Sequence, residues 1–284
     1  MTTTIIDGLF YANKIINDIK NKVDKLKIKP KLVVILVGHD NASQIYVRNK
    51  QKRCLEVGIE SEVLHLGENI SENLLLDKIK KLNEDKNINA ILVQMPLPKH
   101  INSNLIIETI SPLKDVDGFH PYNVGKLALN MTPYAVACTP SGILKLLNAY
   151  NIEIKGKNTV ILGRSNIVGR PLSLLLLNNN ATLTICHSKT ENIKEITNTA
   201  DILISAIGKA NFIDSTFIKK NVCIIDVGIN RDENNKLTGD VNFNDVFNKC
   251  KFITPVPKGV GPMTIAMLLQ NTLNLYKIQN NLCL

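Results

Sequence analysis

The first third of the chain alternates between short apolar runs and longer stretches in which apolar residues recur every three or four positions. The short runs predict buried strands, and the periodic stretches predict amphipathic helices. In order, the predicted elements are a helix Ala12–Leu26, a strand Leu32–Gly38, a helix Ala42–Val57, a strand Glu62–Leu66, a helix Glu72–Leu82 and a strand Ala90–Gln94. Strands that alternate with helices in this way indicate a parallel sheet.

The same alternation returns in the second half of the chain. The predicted strands are Thr159–Leu162, Ala181–Cys186, Asp201–Ser205 and Val222–Val227. Between the two regions, from Pro96 to Pro140, the pattern loosens into loops rich in Pro and Gly, and long loops in compact proteins are usually functional. A strongly apolar helix at Met263–Tyr276 follows the last strand, and we expect it to return to the first domain.

The predicted fold class is therefore α/β in two domains with a cleft between them, the second domain being Rossmann-like. The first domain is expected to comprise residues 1–140 together with a C-terminal helix at 262–284. The second is expected to comprise residues 141–261.

Composition narrows the class of protein only a little. The chain has 284 residues, enough for two cores, and 44% hydrophobic and 21% charged residues are ordinary for a globular protein. The net charge of +9 is dispersed along the chain, and 5% aromatic residues without Trp argue against a base-stacking surface, so we expect no nucleic-acid partner. With no leader-like start and no long apolar run, a soluble, cytoplasmic protein without a membrane partner is expected.

Cysteine usage points to a reducing compartment. The six cysteines form no C-x-x-C motif and no cluster with His at metal-ligand spacing. We expect reduced, mostly buried thiols and no metal site.

A glycine-flanked turn after the strand Thr159–Leu162 is typical of a phosphate-binding site. Gly163 and Gly169 bracket the turn, and Pro171 suits the first turn of the helix that follows. Glycines there let backbone N–H groups approach a phosphate, which the helix dipole also favours. The spacing is not G-x-G-x-x-G, and the alternative is a glycine required only for steric reasons.

Side chains around this turn favour NADP over NAD. The strand Ala181–Cys186 ends about where a dinucleotide fold places its ribose-reading residue, roughly 20 residues past the turn. There the chain has Ser188, flanked by His187 and Lys189, instead of Asp or Glu. Together with Arg164 and Ser165 they form a basic, donor-rich set suited to a 2′-phosphate. The alternative is a solvated basic loop.

Glycines also close the strands Asp201–Ser205 and Val222–Val227, which leaves backbone groups beside a ligand at the sheet edge. Ile229 follows the second of these strands. We expect it to pack on the nicotinamide or the adenine.

Ser43, Tyr46 and Lys50 stand at i, i+3 and i+7 of the first helix after a strand, so they project from one helix face. Tyr46 and Lys50 match the Y-x-x-x-K pair of short-chain dehydrogenases, but there the pair follows the cofactor turn, and here it precedes it. The alternative is a surface helix with an incidental Tyr/Lys pair.

Two further polar residues are expected near them. Gln94 closes the strand Ala90–Gln94, and Asp117 lies two residues after Asp115 and just before Gly118. Asp117 would offer a carboxylate to a ring that bears N–H donors. The alternatives are a strand-terminal cap for Gln94 and an Asx turn for the aspartates.

Taken in order along nearly the whole chain, the motifs resemble those of the bifunctional methylenetetrahydrofolate dehydrogenase/methenyltetrahydrofolate cyclohydrolase family. The matching segments are VGHDNASQIYVRNK, ILVQMPLP, SPLKDVDGFHPYNVGKL, CTPSGILKLL, GRSNIVGRP, HSKT and TPVPKGVGPMT.

This resemblance implies NADP-linked oxidation of methylenetetrahydrofolate and hydrolysis of the methenyl product to formyltetrahydrofolate by a homodimer without metal. It implies that Lys50 is the general acid/base of hydrolysis, that Tyr46 stacks on the folate, that Gln94 hydrogen-bonds Lys50 and that Asp117 grips the pterin. It also implies that Ser43 and the loop residues Pro257, Gly259, Val260, Gly261 and Pro262 bind substrate.

The chain departs from the family at two positions, with Lys258 where a glycine is usual and Ala137 where a proline is usual. We hypothesise that Lys258 points outward and attracts the glutamate tail of folate. Two other functions are alternatives: a dehydrogenase without cyclohydrolase activity, and a non-catalytic nucleotide sensor or basic RNA-binding protein. The latter would need a clustered basic face with aromatics, a pattern that the sequence does not show.

Overall fold

A computed structural model describes residues 2–233 and 236–283. The strands, numbered in chain order, are β1 Thr4–Ile5, β2 Lys31–Val37, β3 Glu60–Leu66, β4 Ala90–Val93, β5 Asn158–Leu162, β6 Thr182–Cys186, β7 Ile202–Ser205, β8 Cys223–Asp226, β9 Asn230–Arg231, β10 Leu237–Thr238 and β11 Phe252–Ile253. The α-helices are α1 Gly8–Asp24, α2 Asn41–Glu56, α3 Glu72–Glu84, α4 Ser103–Thr109, α5 Pro121–Ala128, α6 Cys138–Ala149, α7 Gly169–Asn178, α8 Ile193–Thr197, α9 Phe243–Val246 and α10 Val260–Gln279. A short 3₁₀ helix spans Ser215–Phe217.

The chain divides into two compact units. One, the three-stranded unit, contains Lys14–Val136 and the chain from Ile265 onward. The other, the six-stranded unit, contains the residues up to Asn13 and Ala137–Thr264. This confirms the two-domain α/β fold class.

The three-stranded unit is built on a parallel sheet of order β3-β2-β4 in the described residues. The central strand β2 is buried along almost its whole length, as its uninterrupted apolar sequence predicts for a parallel strand covered on both faces. Val34 pairs with Val63 of β3 and with Leu92 of β4. The carboxyl ends of these strands therefore lie at one edge of the sheet.

The sheet of the six-stranded unit has the order β1-β11-β8-β7-β5-β6, and its strands pair in parallel. Strands β7 and β8 are fully buried, and their apolar side chains fill the core of the unit. The chain passes from β5 to β6 on one side and then to β7 on the other side of β5. Such a topological switch point opens a ligand crevice at the carboxyl ends of the strands.

The last helix, α10, leaves the six-stranded unit and continues in the three-stranded unit, as expected from the sequence. Asn271 Nδ2 donates hydrogen bonds of 2.9 Å to the carbonyl oxygens of Val116 and Val136. Gln279 Nε2 donates to the carbonyls of Asn89 and Leu113 at 2.8 and 2.7 Å. The buried Asn271 amide and the half-buried Gln279 amide fix the helix on the unit because they satisfy backbone carbonyls of its loops.

Candidate active site

Helix α2 carries three of the predicted site residues and begins at a well-defined cap. Asp40 accepts a hydrogen bond of 2.7 Å from the backbone N–H of Ser43, and this bonding lowers the pKa of the Asp40 carboxyl. Ser43 is buried, whereas Tyr46 is 40% exposed and Lys50 is half-buried. The cap therefore fixes the helix start directly after β2, and Tyr46 remains partly exposed to solvent.

Lys50 and Gln94 meet, although 44 residues separate them. The Lys50 Nζ donates to Gln94 Oε1 at 3.0 Å. The Gln94 Nε2 in turn donates to the carbonyl of Met95 at 2.7 Å, which points the amide oxygen toward the lysine. The Gln94 N–H bonds to Ile35 O at 2.9 Å, so the residue is held at the carboxyl edge of the sheet.

Asp115 and Asp117 lie in different environments. Asp115 is 2% exposed, accepts hydrogen bonds from His120 N at 2.8 Å and Asn123 Nδ2 at 2.9 Å, and has its pKa raised mainly by burial. Its backbone also bridges Ile91 of β4. Asp115 is thus the residue that shapes the loop, and Asp117 is half-buried beside Gly118, which has a φ of +69°.

The five residues at 257–262 that the family resemblance implies belong to the six-stranded unit, whereas Lys50 belongs to the three-stranded unit. Their loop packs tightly on the start of the chain: a Cβ at Gly8 would lie 1.8 Å from Gly259 O, and one at Gly259 would lie 2.4 Å from Pro255 O. Lys258 is exposed and has a φ of +81°. Val260 is buried, Pro262 is half-buried, and a Cβ at Gly261 would meet nothing within 4 Å.

A pocket of about 310 Å³ lies at the carboxyl edge of the six-stranded sheet. It brings together four predicted cofactor residues, namely Gly163, Arg164, Ser165 and Ser188. Gly169 does not line it but allows it to form: a Cβ at Gly169 would lie 2.2 Å from Gly163 O. The glycines thus form the close backbone cradle that a phosphate group requires.

Charge in this pocket suits an anion. Among the described residues that line it are Arg164 and Lys209, and none is Asp or Glu. Ser165 Oγ accepts from Val168 N at 3.2 Å, so this hydroxyl also shapes the turn. The turn after β6 is held by a hydrogen bond of 2.9 Å from His187 N to Thr190 Oγ1. The lining fits the phosphates of a dinucleotide.

Besides Gly169, one predicted cofactor residue lies outside the lining of this pocket. Ile229 is 53% exposed and is not among the lining residues. Lys209 and Phe212 also line the pocket, and no local sequence pattern predicts them, because only the tertiary fold brings the loop after β7 beside the turn at Gly163.

A larger cavity of about 510 Å³ lies at the opposite, amino edge of the same sheet. It contains the starts of β7, β8 and β11, at Ile202, Cys223 and Phe252, and none of the predicted site residues. We assign the chemistry to the carboxyl edge, because parallel α/β sheets bind ligands there.

A metal site requires grouped ligand side chains, and a membrane-spanning helix requires a long apolar stretch. In the described part of the chain, no three His, Cys, Asp or Glu side chains are grouped so as to hold a metal ion. Five cysteines are buried and Cys283 is exposed. Over the same residues, no helix has the length and apolar character needed to span a bilayer.

A parallel sheet with a topological switch point, a glycine cradle and a basic pocket defines an α/β protein that binds a dinucleotide. Residues 6–117 match the family described as tetrahydrofolate dehydrogenase/cyclohydrolase, catalytic domain, and residues 137–280 match the NAD(P)-binding domain of the same family. The chain belongs to the tetrahydrofolate dehydrogenase/cyclohydrolase family.

Individual relatives agree with this placement. The bifunctional protein FolD of Ligilactobacillus salivarius is 54% identical over 97% of each chain. The crystal structure of the bifunctional enzyme FolD from Campylobacter jejuni superposes with a TM-score of 0.97 at 50% identity, covering 99% of this chain and 100% of that one. The enzyme of Trypanosoma brucei, solved with NADP and an inhibitor, has a TM-score of 0.93 at 36% identity over 98% of each chain.

Proposed function

We propose that this chain oxidises 5,10-methylenetetrahydrofolate to the 5,10-methenyl form with NADP and hydrolyses that product to 10-formyltetrahydrofolate. The observation that carries the proposal is the hydrogen bond of 3.0 Å between Lys50 Nζ and Gln94 Oε1, which sets a basic side chain at the edge of the sheet. Family membership supplies the substrate class, and this pair supplies the group that hydrolysis needs.

In the hydrolytic step, Lys50 acts as general base and then as general acid. Its amine takes a proton from the water that attacks the methenyl carbon. The bond from this carbon to N5 then breaks, and N5 receives the proton from Lys50 while the other proton of the water passes to solvent. Gln94 holds the Nζ in place through its oriented amide.

The other residues of the three-stranded unit position the folate. The exposed ring of Tyr46 stacks on it, the carboxylate of Asp117 accepts from pterin N–H groups, and Ser43 completes the helix face. We also assign substrate binding to the loop residues Pro257, Gly259, Val260, Gly261 and Pro262, and attraction of the glutamate tail to the exposed Lys258. We assign the catalytic domain to residues 1–140 with 262–284, although the residues up to Asn13, 137–140 and 262–264 group with the six-stranded unit by backbone contacts.

The dinucleotide occupies the pocket at Gly163, in the domain that we assign to residues 141–261. NADP held there would supply the hydride acceptor for oxidation of the methylene carbon. Arg164 and Ser188 select its 2′-phosphate, and Ser165 and the turn bracketed by Gly163 and Gly169 face the other phosphates. Ile229, which is exposed at the end of the loop after β8, packs on a ring. The protein works as a cytoplasmic homodimer, without metal or nucleic acid.

The test follows reduced cofactor and methenyl product together in the purified protein, with NADP and NAD in parallel. Lys50→Gln is expected to lose roughly a hundredfold or more of methenyl hydrolysis and to keep most of the oxidation. Lys52→Gln, an exposed lysine of the same helix, is the matched control and should change neither rate. A parent protein that oxidises but does not hydrolyse would be a dehydrogenase alone, and equal use of NAD would refute the roles of Arg164 and Ser188.

A further inference from the structure

Asp240 is a completely buried carboxylate that takes no part in the proposed oxidation or hydrolysis chemistry. It lies just after β10 and accepts five hydrogen bonds. Its Oδ2 accepts from Ser205 Oγ at 3.0 Å, from Ile207 N at 2.8 Å and from Gly208 N at 3.3 Å, and its Oδ1 accepts from Lys209 N at 2.9 Å and Asn230 Nδ2 at 3.0 Å.

Three of these donors are the consecutive backbone N–H groups of Ile207, Gly208 and Lys209. Consecutive N–H groups that converge in this way form a concave anion site, and here the Asp240 carboxylate fills it. Gly208, with a φ of +65°, gives the loop the required turn. The conformation of the loop after β7 is therefore set by a side chain 31 or more residues further along the chain.

Asp240 cannot easily shift, because a second buried carboxylate holds its segment. Asp226, at the end of β8, accepts from Asp240 N and Val241 N at 3.0 Å each, and from Gly228 N at 2.9 Å. The packing leaves no room for larger residues: a Cβ at Gly228 would lie 2.4 Å from Asp240 Oδ1.

The loop that Asp240 holds forms one wall of the nucleotide pocket. Ala206, Ile207 and Lys209 line the pocket opposite the glycine turn. The two walls touch, since a Cβ at Gly163 would lie 2.4 Å from Ala206 O. Lys209 also presents its ammonium group on this wall, 5.3 Å from the ring centre of Phe212.

We propose that Asp240 is a positioning residue for the oxidation step: its carboxylate fixes the loop Ile207–Lys209 so that this wall, and Lys209 with it, faces the cofactor. This role rests on one part of the proposed function, namely that this pocket binds the dinucleotide. Asp240 itself touches neither substrate nor cofactor, and hydrolysis of the methenyl substrate does not depend on it.

Asp240→Asn tests this with little change in volume. An amide offers only one acceptor oxygen, so its NH₂ group must face an N–H of the loop or another donor. We expect the KM for NADP to rise roughly tenfold, as for one lost charge-assisted hydrogen bond. The kcat for oxidation at saturating NADP and the rate of methenyl hydrolysis without cofactor should stay within about twofold, a margin set well below that tenfold change.

Ser205→Ala is the matched control, because it removes a donor to the same carboxylate from strand β7 and leaves the loop bonds in place. It should lower the melting temperature without raising the KM for NADP. If Asp240→Asn leaves that KM unchanged, raises it no more than Ser205→Ala does, or slows hydrolysis as much as oxidation, the positioning role is refuted.

Two more variants keep the outcome decisive. Gly208→Ala strains the loop at its positive φ, yet its Cβ would meet nothing within 4 Å, so it tests the loop even where Asp240→Asn does not fold. It must raise the KM for NADP, and an unchanged value overturns the proposal. Arg164→Ala tests separately whether this pocket binds the cofactor. If Arg164→Ala also leaves the KM for NADP unchanged, the pocket does not hold the cofactor, and the proposed cofactor site is wrong.

Discussion

Lys258 has a backbone conformation that is unfavourable for folding and a charge that we expect to favour substrate binding. Two substitutions separate these effects. Its φ of +81° lies in the left-handed region, which costs an L-residue about 1–2 kcal/mol. Glycine does not carry this cost, but its greater loss of backbone entropy on folding contributes about 0.5–1 kcal/mol of unfavourable free energy. Lys258→Gly is therefore expected to stabilise the folded protein by roughly 0.75 kcal/mol, the difference between the midpoints of the two ranges.

The surrounding structure prevents the strain from relaxing. Leu9 N donates to Lys258 O at 3.0 Å, and the next residue is locked because a Cβ at Gly259 would lie 2.4 Å from Pro255 O. Lys258→Ala keeps the backbone cost and removes the charge, so its stability should stay within about 0.5 kcal/mol of the parent, as is usual for an exposed position.

Chemical denaturation of the parent and both variants gives these differences, and the folate KM gives the effect of charge. Since both variants lack the ammonium group, both should raise the KM for polyglutamylated substrate by a similar factor and leave that for monoglutamate unchanged. The reasoning about backbone strain is refuted if Lys258→Gly is no more stable than Lys258→Ala. The tail-binding role is refuted if neither variant alters the KM for long-tailed substrates.

Three further outcomes are expected. Gln94→Ala should reduce the rate of hydrolysis roughly tenfold or more while oxidation persists, because Lys50 loses the hydrogen-bond partner at 3.0 Å that orients it. An equal loss of both rates in coupled assays would contradict this prediction. Gly163→Ala should destabilise the protein by more than about 2 kcal/mol, because its φ is +110° and the new Cβ would lie 2.4 Å from Ala206 O. An unchanged free energy of unfolding in chemical denaturation would refute this prediction. Burial raises the pKa of Asp226 to about 6, above that of the unfolded chain, so protonation stabilises the fold as pH falls from about 7 toward 4. The stability of the parent relative to Asp226→Asn should therefore increase on acidification, and a difference in melting temperature that is constant with pH would disprove this.

The sequence predicts the central strands well because they are buried on both faces and read as continuous apolar runs. It does not predict β1, a two-residue strand whose side chains are exposed. Thr4 pairs with Phe252, and that pairing depends on contacts between the two ends of the chain. Local periodicity carries no information about such a long-range pair, so the grouping of the first residues with the six-stranded unit emerges only from the structure.

The same distinction applies to the candidate site. Lys50 and Gln94 can each be placed near a strand end from the sequence, because the carboxyl ends of parallel strands share one edge. Asp240 gives no such signal: it follows a two-residue strand, and its five donors come from three other segments. A short polar residue in a loop usually indicates a turn. Its burial distinguishes it, and burial is a property of the tertiary fold.

The two proposed steps draw on different sheets, and this makes the assignment of residues separable by experiment. The Lys50–Gln94 pair is assembled from α2 and β4 of the three-stranded unit, whereas Asp240, Gly163 and Arg164 belong to the six-stranded unit. Hydrolysis needs water and a base but no dinucleotide. Substitutions in the pocket should therefore change only the oxidation, and substitutions at Lys50 should chiefly change the hydrolysis. A set of variants that altered both steps in constant proportion would mean that this division between the units is wrong.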